Sequence, residues 1–125
     1  MLNINKYIAD ALAAGGVDLP ACEEPIRRAE SGHYITWEQG KVDTLRASGE
    51  PYEQRCRVTL NLWLASDEMN WRIWLSRIQR ALALYDTTPG VCCYIGDCSG
   101  AVDVPELNRK LVRLSIQIVD RMWYK

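Results

Sequence analysis

The chain has 125 residues, 48% of them apolar and 25% charged, which excludes disorder and removes any need for disulfides or metals to fold one domain. Fifteen basic and sixteen acidic residues leave a net charge of −1, without the strongly basic footprint of a duplex-binding protein. No apolar run is long enough to cross a membrane, and Met1–Gly16 carries a lysine and an aspartate inside its apolar stretch, unlike a secretory signal.

Along the chain, Ile4, Ile8, Ala11 and Leu12 recur at helical spacing, so a helix is expected over 4–14, capped by Asn3 or Asn5 and ended by Gly15-Gly16. Pro20 and Pro25 punctuate the next stretch, where a single helical turn is expected before Gly32. HYITWEQ (33–39) alternates and is rich in β-formers, which predicts a first strand. Residues 40–51 are polar, with two glycines and a proline, and read as a long loop. EQRCRVTLNLWLA (53–65) is the clearest strand. Cys56, Val58, Leu60, Leu62 and Leu64 share one face, and Arg55, Arg57, Thr59, Asn61 and Trp63 share the other.

Ser66 or Asp67 is placed to cap a helix over 67–84, whose apolar stripe runs Trp71, Trp74, Leu75, Ile78, Ala81, Leu82 and Tyr85. A turn at 87–90 leads to a third strand, VCCYIGD (91–97), and a loop to Pro105. The last strand, over 106–123, points Val112, Leu114, Ile116 and Ile118 inward and Arg113, Ser115 and Gln117 outward. The expected fold is therefore one α+β domain over 1–125, in two layers. It has a four-stranded, mainly antiparallel sheet with helices on one face, in the order α-β-β-α-β-β.

Catalytic chemistry finds few candidates. His33 is the one histidine and has no partner evident in sequence; the run YIGDCSG lacks the lysine and spacing of a phosphate loop. Glu23 and Glu24 read as solvated surface. Five cysteines, an odd number, argue for thiols in a reducing compartment, and the spacing of Cys93 and Cys98 lacks the second pair that a zinc site needs. No enzyme activity, metal or cofactor is expected. Five Trp and six Tyr with no Phe suit half-wet surfaces, because each ring carries a polar tip. The outer strand face, with Arg55, Arg57, Asn61, Trp63, Arg113 and Gln117, is a candidate protein interface or nucleic-acid surface.

Taken together, the short helix ending at Gly15-Gly16, HYITWEQG, the polar KVDTLRASGEPYE, QRCRVTLNLWL, EMNWRIWLSRIQRALAL and the closing LVRLSIQIVDRMW resemble the tail terminator (tail completion) proteins of long-tailed bacteriophages. The resemblance covers the whole chain in pattern and length. It implies a virion protein, assembled in the bacterial cytoplasm, that caps the finished tail tube as a hexameric ring and receives the head connector. Implied partners are further copies of the chain, the tail tube protein and the head–tail connector, with non-specific DNA contact in the lumen and no membrane. On this reading Lys41, Val42, Asp43, Leu45, Arg46 and Glu50 face a neighbouring subunit or the tube, and the outer strand face meets a subunit or the lumen. A head–tail connector or neck protein is the alternative, followed by a nucleic-acid-binding module.

Overall fold

The computed structural model describes residues 3–23 and 32–121. The helical turn expected before Gly32 falls mostly on 24–31, outside the described residues, as do 122 and 123 of the last expected strand.

Helix α1 spans Ile4–Ala14, and the Asn3 side chain caps it by accepting the Lys6 backbone N–H at 3.0 Å. Ile4, Tyr7, Ile8, Ala11 and Leu12 form its buried stripe. The helix stops at Gly15, and Gly16 takes a φ of +75°, where a side chain would be strained. Gly15 also governs packing. A Cβ there would overlap Ala81 of helix α2 (Trp71–Leu84), so the missing side chain is what lets the two helices meet.

Among the described residues, six strands make one sheet. They are β1 (Ala21–Glu23), β2 (Tyr34–Ala47), β3 (Glu50–Ala65), β4 (Val91–Cys98), β5 (Val102–Val104) and β6 (Arg109–Arg121). The order is β1-β2-β3-β6-β4, with β5 paired to the other end of β6; β1 lies parallel to β2 and every other pair is antiparallel. This overturns the expected four-stranded sheet with helices on one face, because the fold is mostly sheet and has two further strands. Those two strands, β1 and β5, have three residues each, too few to leave an alternating pattern in the sequence.

The core forms where the apolar face of β3 meets that of β6. Cys56, Val58, Leu60, Leu62 and Leu64 join Val112, Leu114, Ile116 and Ile118, together with Leu75, Ile78, Ala81 and Leu82 of α2 and the stripe of α1. Each fully buried Leu or Ile contributes roughly 1.5–3 kcal/mol to stability.

Two local expectations are corrected. The polar stretch 40–51 is not a loop: β2 continues to Ala47 and β3 begins at Glu50, joined by a two-residue turn at Ser48 and Gly49. Both turn residues have positive φ, +53° and +82°, the backbone that matches the twist of a tight hairpin. A β-bulge at Gly40 and Lys41 lies opposite Arg57, and a Cβ on Gly40 would come within 3.1 Å of the Arg57 carbonyl. Pro51 sits where β3 has β2 on one side but no β6 partner on the other, so its missing N–H leaves no gap in that second ladder.

The second correction concerns α2, which begins at Trp71 rather than 67 and has Asn70, not Ser66 or Asp67, at its N-cap. Glu68 is the physical reason. Its Oε1 accepts the Asn70 backbone N–H at 2.8 Å, its Oε2 meets His33, and its carbonyl accepts from Lys110 Nζ at 3.2 Å. Held in this way, the chain turns before it winds.

Candidate functional site

The register of the sheet shows which expected site residues share a surface. On the face opposite the core, Trp63 lies between Tyr34 and Leu111, Asn61 between Thr36 and Arg113, Thr59 between Glu38 and Ser115. Further along, Arg57 pairs with Gln117, which in turn opposes Tyr94, and Arg55 lies between Asp43 and Val119. All six expected residues of this face, Arg55, Arg57, Asn61, Trp63, Arg113 and Gln117, are thus brought together.

The face is not uniformly wet. Thr36, Asn61, Glu53, Leu111 and Val119 are buried on it, whereas Arg55, Arg57 and Arg113 are exposed. At one end an aromatic stack is built from side chains of three strands. Tyr34 and Trp63 lie with ring centroids 6.0 Å apart, and the Arg109 guanidinium sits 4.8 Å from the Tyr34 ring. Arg109 also donates to the Gly32 carbonyl, while the Trp63 indole N–H donates to Thr36 Oγ1 at 3.0 Å. Among the described residues, Asn61 Oδ1 is buried beside this group without a hydrogen-bond partner. At the other end Glu53 is clamped by two arginines. Arg55 Nε lies 2.6 Å and Arg121 Nε 3.5 Å from its carboxylate, and Arg121 donates to the Tyr94 hydroxyl at 2.9 Å. That hydrogen bond, with Glu53 as a lesser cause, pushes the Arg121 guanidinium pKa up.

The second expected group, on the hairpin, is divided by the pleat and the bulge. Val42 opposes Cys56 and so faces the core side, beyond the helices' cover at 40% exposure. Asp43 and Leu45 oppose Arg55 and Glu53 and face the other way. Lys41 projects from the bulge and bridges to Asp43 at 3.6 Å; Arg46 and Glu50 flank the turn. Sequence reasoning did not find Tyr34, Glu53, Tyr94, Arg109 and Arg121 on the outer face. Parity with Arg55 and Arg57 on β3 was the available signal for Glu53, and parity with Arg113 and Gln117 on β6 for Arg109 and Arg121; Tyr34 and Tyr94 are placed by the register between strands.

His33 has both ring nitrogens engaged within the chain. Nδ1 accepts the Ala65 backbone N–H at 3.2 Å, which assigns the proton to Nε2, where it is donated to Glu68 Oε2 at 3.0 Å. An acid–histidine pair of this kind orients the ring but leaves neither nitrogen open to a substrate. Burial pushes the Cys93 thiol up to about 12 and raises Cys56 and Tyr7 as well. Such thiols are poor nucleophiles because the thiolate is suppressed. Among the described residues no group of three or more His, Cys, Asp or Glu is arranged to hold a metal, and no helix is long and apolar enough to cross a membrane. An open groove of about 430 Å³ runs between the C-terminal ends of α1 and α2, lined by Ala14, Gly15, Arg77, Arg80, Leu84 and Tyr85 among others.

No protein-family model matches the chain, and none of the curated proteins matches it either.

Proposed function

We propose that this chain is a structural subunit of a phage virion, of the tail-terminator kind. Six copies close into a ring that caps the tail tube, ends its growth and seats the head connector, with no chemical reaction involved.

The observation that carries this reading is the β2–β3 arm. β1 pairs with β2 only at Ile35–Trp37, so from Glu38 to Ala47 β2 is the outermost strand of the sheet among the described residues. Over most of that length its side chains are exposed. A hairpin held by its own ladder, with Val42 on one side and Leu45 on the other, offers a neighbouring subunit both apolar anchors and charged ends. Such an arm buries little when alone and gains most of its cover from a partner. A ring requires this kind of heterologous contact, in which one surface of a subunit meets a different surface of the next.

Native mass spectrometry of the purified chain tests the proposal. A hexamer that is lost when Val42 and Leu45 are both changed to Asp is the expected result. A chain that remains monomeric at millimolar concentration would contradict it.

A further inference from the structure

We infer that, within the assembly proposed above and resting on it, the groove between α1 and α2 receives the β5 edge of a second copy of this chain. The groove supplies one half of the match. Leu75, Ile78, Ala81 and Leu82 are the buried residues of α2, so another stripe of the helix, Ile73, Arg77, Arg80 and Leu84, is left exposed. These four fall at i, i+4, i+7 and i+11, one above another along the helix. The stripe is apolar at both ends and basic in the middle. Arg77, Arg80 and Leu84 line the groove, and Asp86, beyond the helix end, is the carboxylate among its lining residues. Helix α2 itself carries Arg72, Arg77 and Arg80 and no acidic residue. Neither Arg77 nor Arg80 has an ion pair among the described residues, and Arg77 is held in place over the Trp74 ring at 5.4 Å.

The β5 edge supplies the other half. From Asp97 to Leu107 the chain has three carboxylates and no lysine or arginine. Val102, Asp103, Glu106 and Leu107 are exposed, on β5 and on the short 3-10 turn Pro105–Leu107 that follows it. Their order is apolar, acidic, acidic, apolar, the complement of the α2 stripe. Asp103 and Glu106 make no ion pair among the described residues; Lys110, the register partner of Asp103, is instead held on the Glu68 carbonyl. The stripe from Ile73 to Leu84 spans about 16 Å of helix, and Val102 to Leu107 about 12 Å of strand and turn, a difference that two long arginine side chains absorb.

The placement of the two surfaces requires a second molecule. β5 is fixed by its ladder to β6 and has no strand on its other side among the described residues, so it does not swing over to cover its own groove. Joining two different surfaces in this way is the head-to-tail contact that builds rings. Flanking Ile73 and Leu84 favour a partner that brings apolar side chains together with its carboxylates, rather than a bare polyanion.

The test is sedimentation velocity on two charge-reversed chains, Arg77→Glu/Arg80→Glu and Asp103→Lys/Glu106→Lys, each shown to be folded by circular dichroism. Alone, each variant sets like charge against like charge at every contact, and its subunit dissociation constant should rise at least about tenfold. Mixed in equal amounts they should associate again, because alternating copies restore an opposite-charge pair at each contact. If a reversal unfolds the chain, Arg77→Gln/Arg80→Gln and Asp103→Asn/Glu106→Gln should each still weaken association. Unaltered association of either variant alone, or a mixture no better than its parts, would overturn the inference. So would arginine-dependent sedimentation with phosphatidylserine vesicles in the absence of that restoration, which would assign the groove to a membrane surface. Association of the unaltered chain and of both variants alike removes this contact and leaves the ring standing, whereas an unaltered chain that never associates removes both.

Discussion

Glu68 and His33, 35 positions apart in sequence, meet Oε2 to Nε2 at 3.0 Å and tie the start of β2 to the turn before α2. Because Ala65 occupies Nδ1, the contact holds a neutral ring in one tautomer. Glu68→Gln keeps one of the two oxygen acceptors and turns the other into an amide donor facing an N–H, so it should lose less than Glu68→Ala, which strands both His33 and the Asn70 N–H and should lose about 1–3 kcal/mol. Urea unfolding of the two variants checks the ordering; equal losses would mean the acceptor is not what matters.

The helix pair depends on Gly15. A methyl group at this position collides with Ala81, so Gly15→Ala should destabilise by about 1–3 kcal/mol despite alanine's better helix propensity. Gly100→Ala, where an added Cβ meets nothing within 4 Å, should be near neutral. Thermal melts of both variants make the comparison.

Within the core, Ile78 is fully buried, while Trp74 is half-buried with its ring edge-on to His33 and Arg77 over it. Ile78→Ala should cost roughly 2–5 kcal/mol, from lost burial plus the cavity left behind. Per atom removed, Trp74→Ala should cost less, since solvent already reaches the ring. Chemical denaturation gives both values.

The hairpin turn is improvable. Ser48 holds a φ of +53°, which glycine adopts without steric cost, so Ser48→Gly should be neutral or stabilising by up to about 1 kcal/mol. Gly49→Val, at φ +82°, should destabilise the arm, seen as faster amide exchange over 42–52 with the core unaffected.

Alkaline pH should weaken the fold through Cys93 and Tyr7. Cys93 titrates near 12 in the folded chain and near 9 when unfolded, so between those values the folded state binds more protons. Stability from this thiol is therefore fully present below about pH 9 and declines as pH rises toward 12. Tyr7, raised by burial, acts in the same direction. Cys93→Val should flatten part of the decline. Thiol labelling at pH 8 should modify exposed Cys98 well before Cys93 or buried Cys56.

How much of the fold is legible in the sequence varies with the strength of the local pattern. Helix α1, with Asn3 before it and Gly15-Gly16 after, and the alternating faces of β3 and β6 are strong periodic signals, and the structure reproduces them. The arm reads as a loop because both of its faces are exposed, so no apolar alternation marks residues 40–47. The Ser48-Gly49 pair is the remaining clue to a two-residue turn. The outer face is legible as a set of residues, since parity alone assigns it. Its buried half is not, because the burial of Thr36 and Asn61 goes with contacts between residues far apart in sequence, such as the stack of Tyr34 on Trp63 and the Trp63 N–H on Thr36.

The most direct test of the assembly account is electron microscopy of the purified chain beside its Val42→Asp/Leu45→Asp variant. Class averages of the unaltered chain should show six-fold rings with a central opening, and the variant, folded by circular dichroism, should show none. Rings that persist unchanged in the variant, or an unaltered chain that forms no rings at any concentration, would contradict the account.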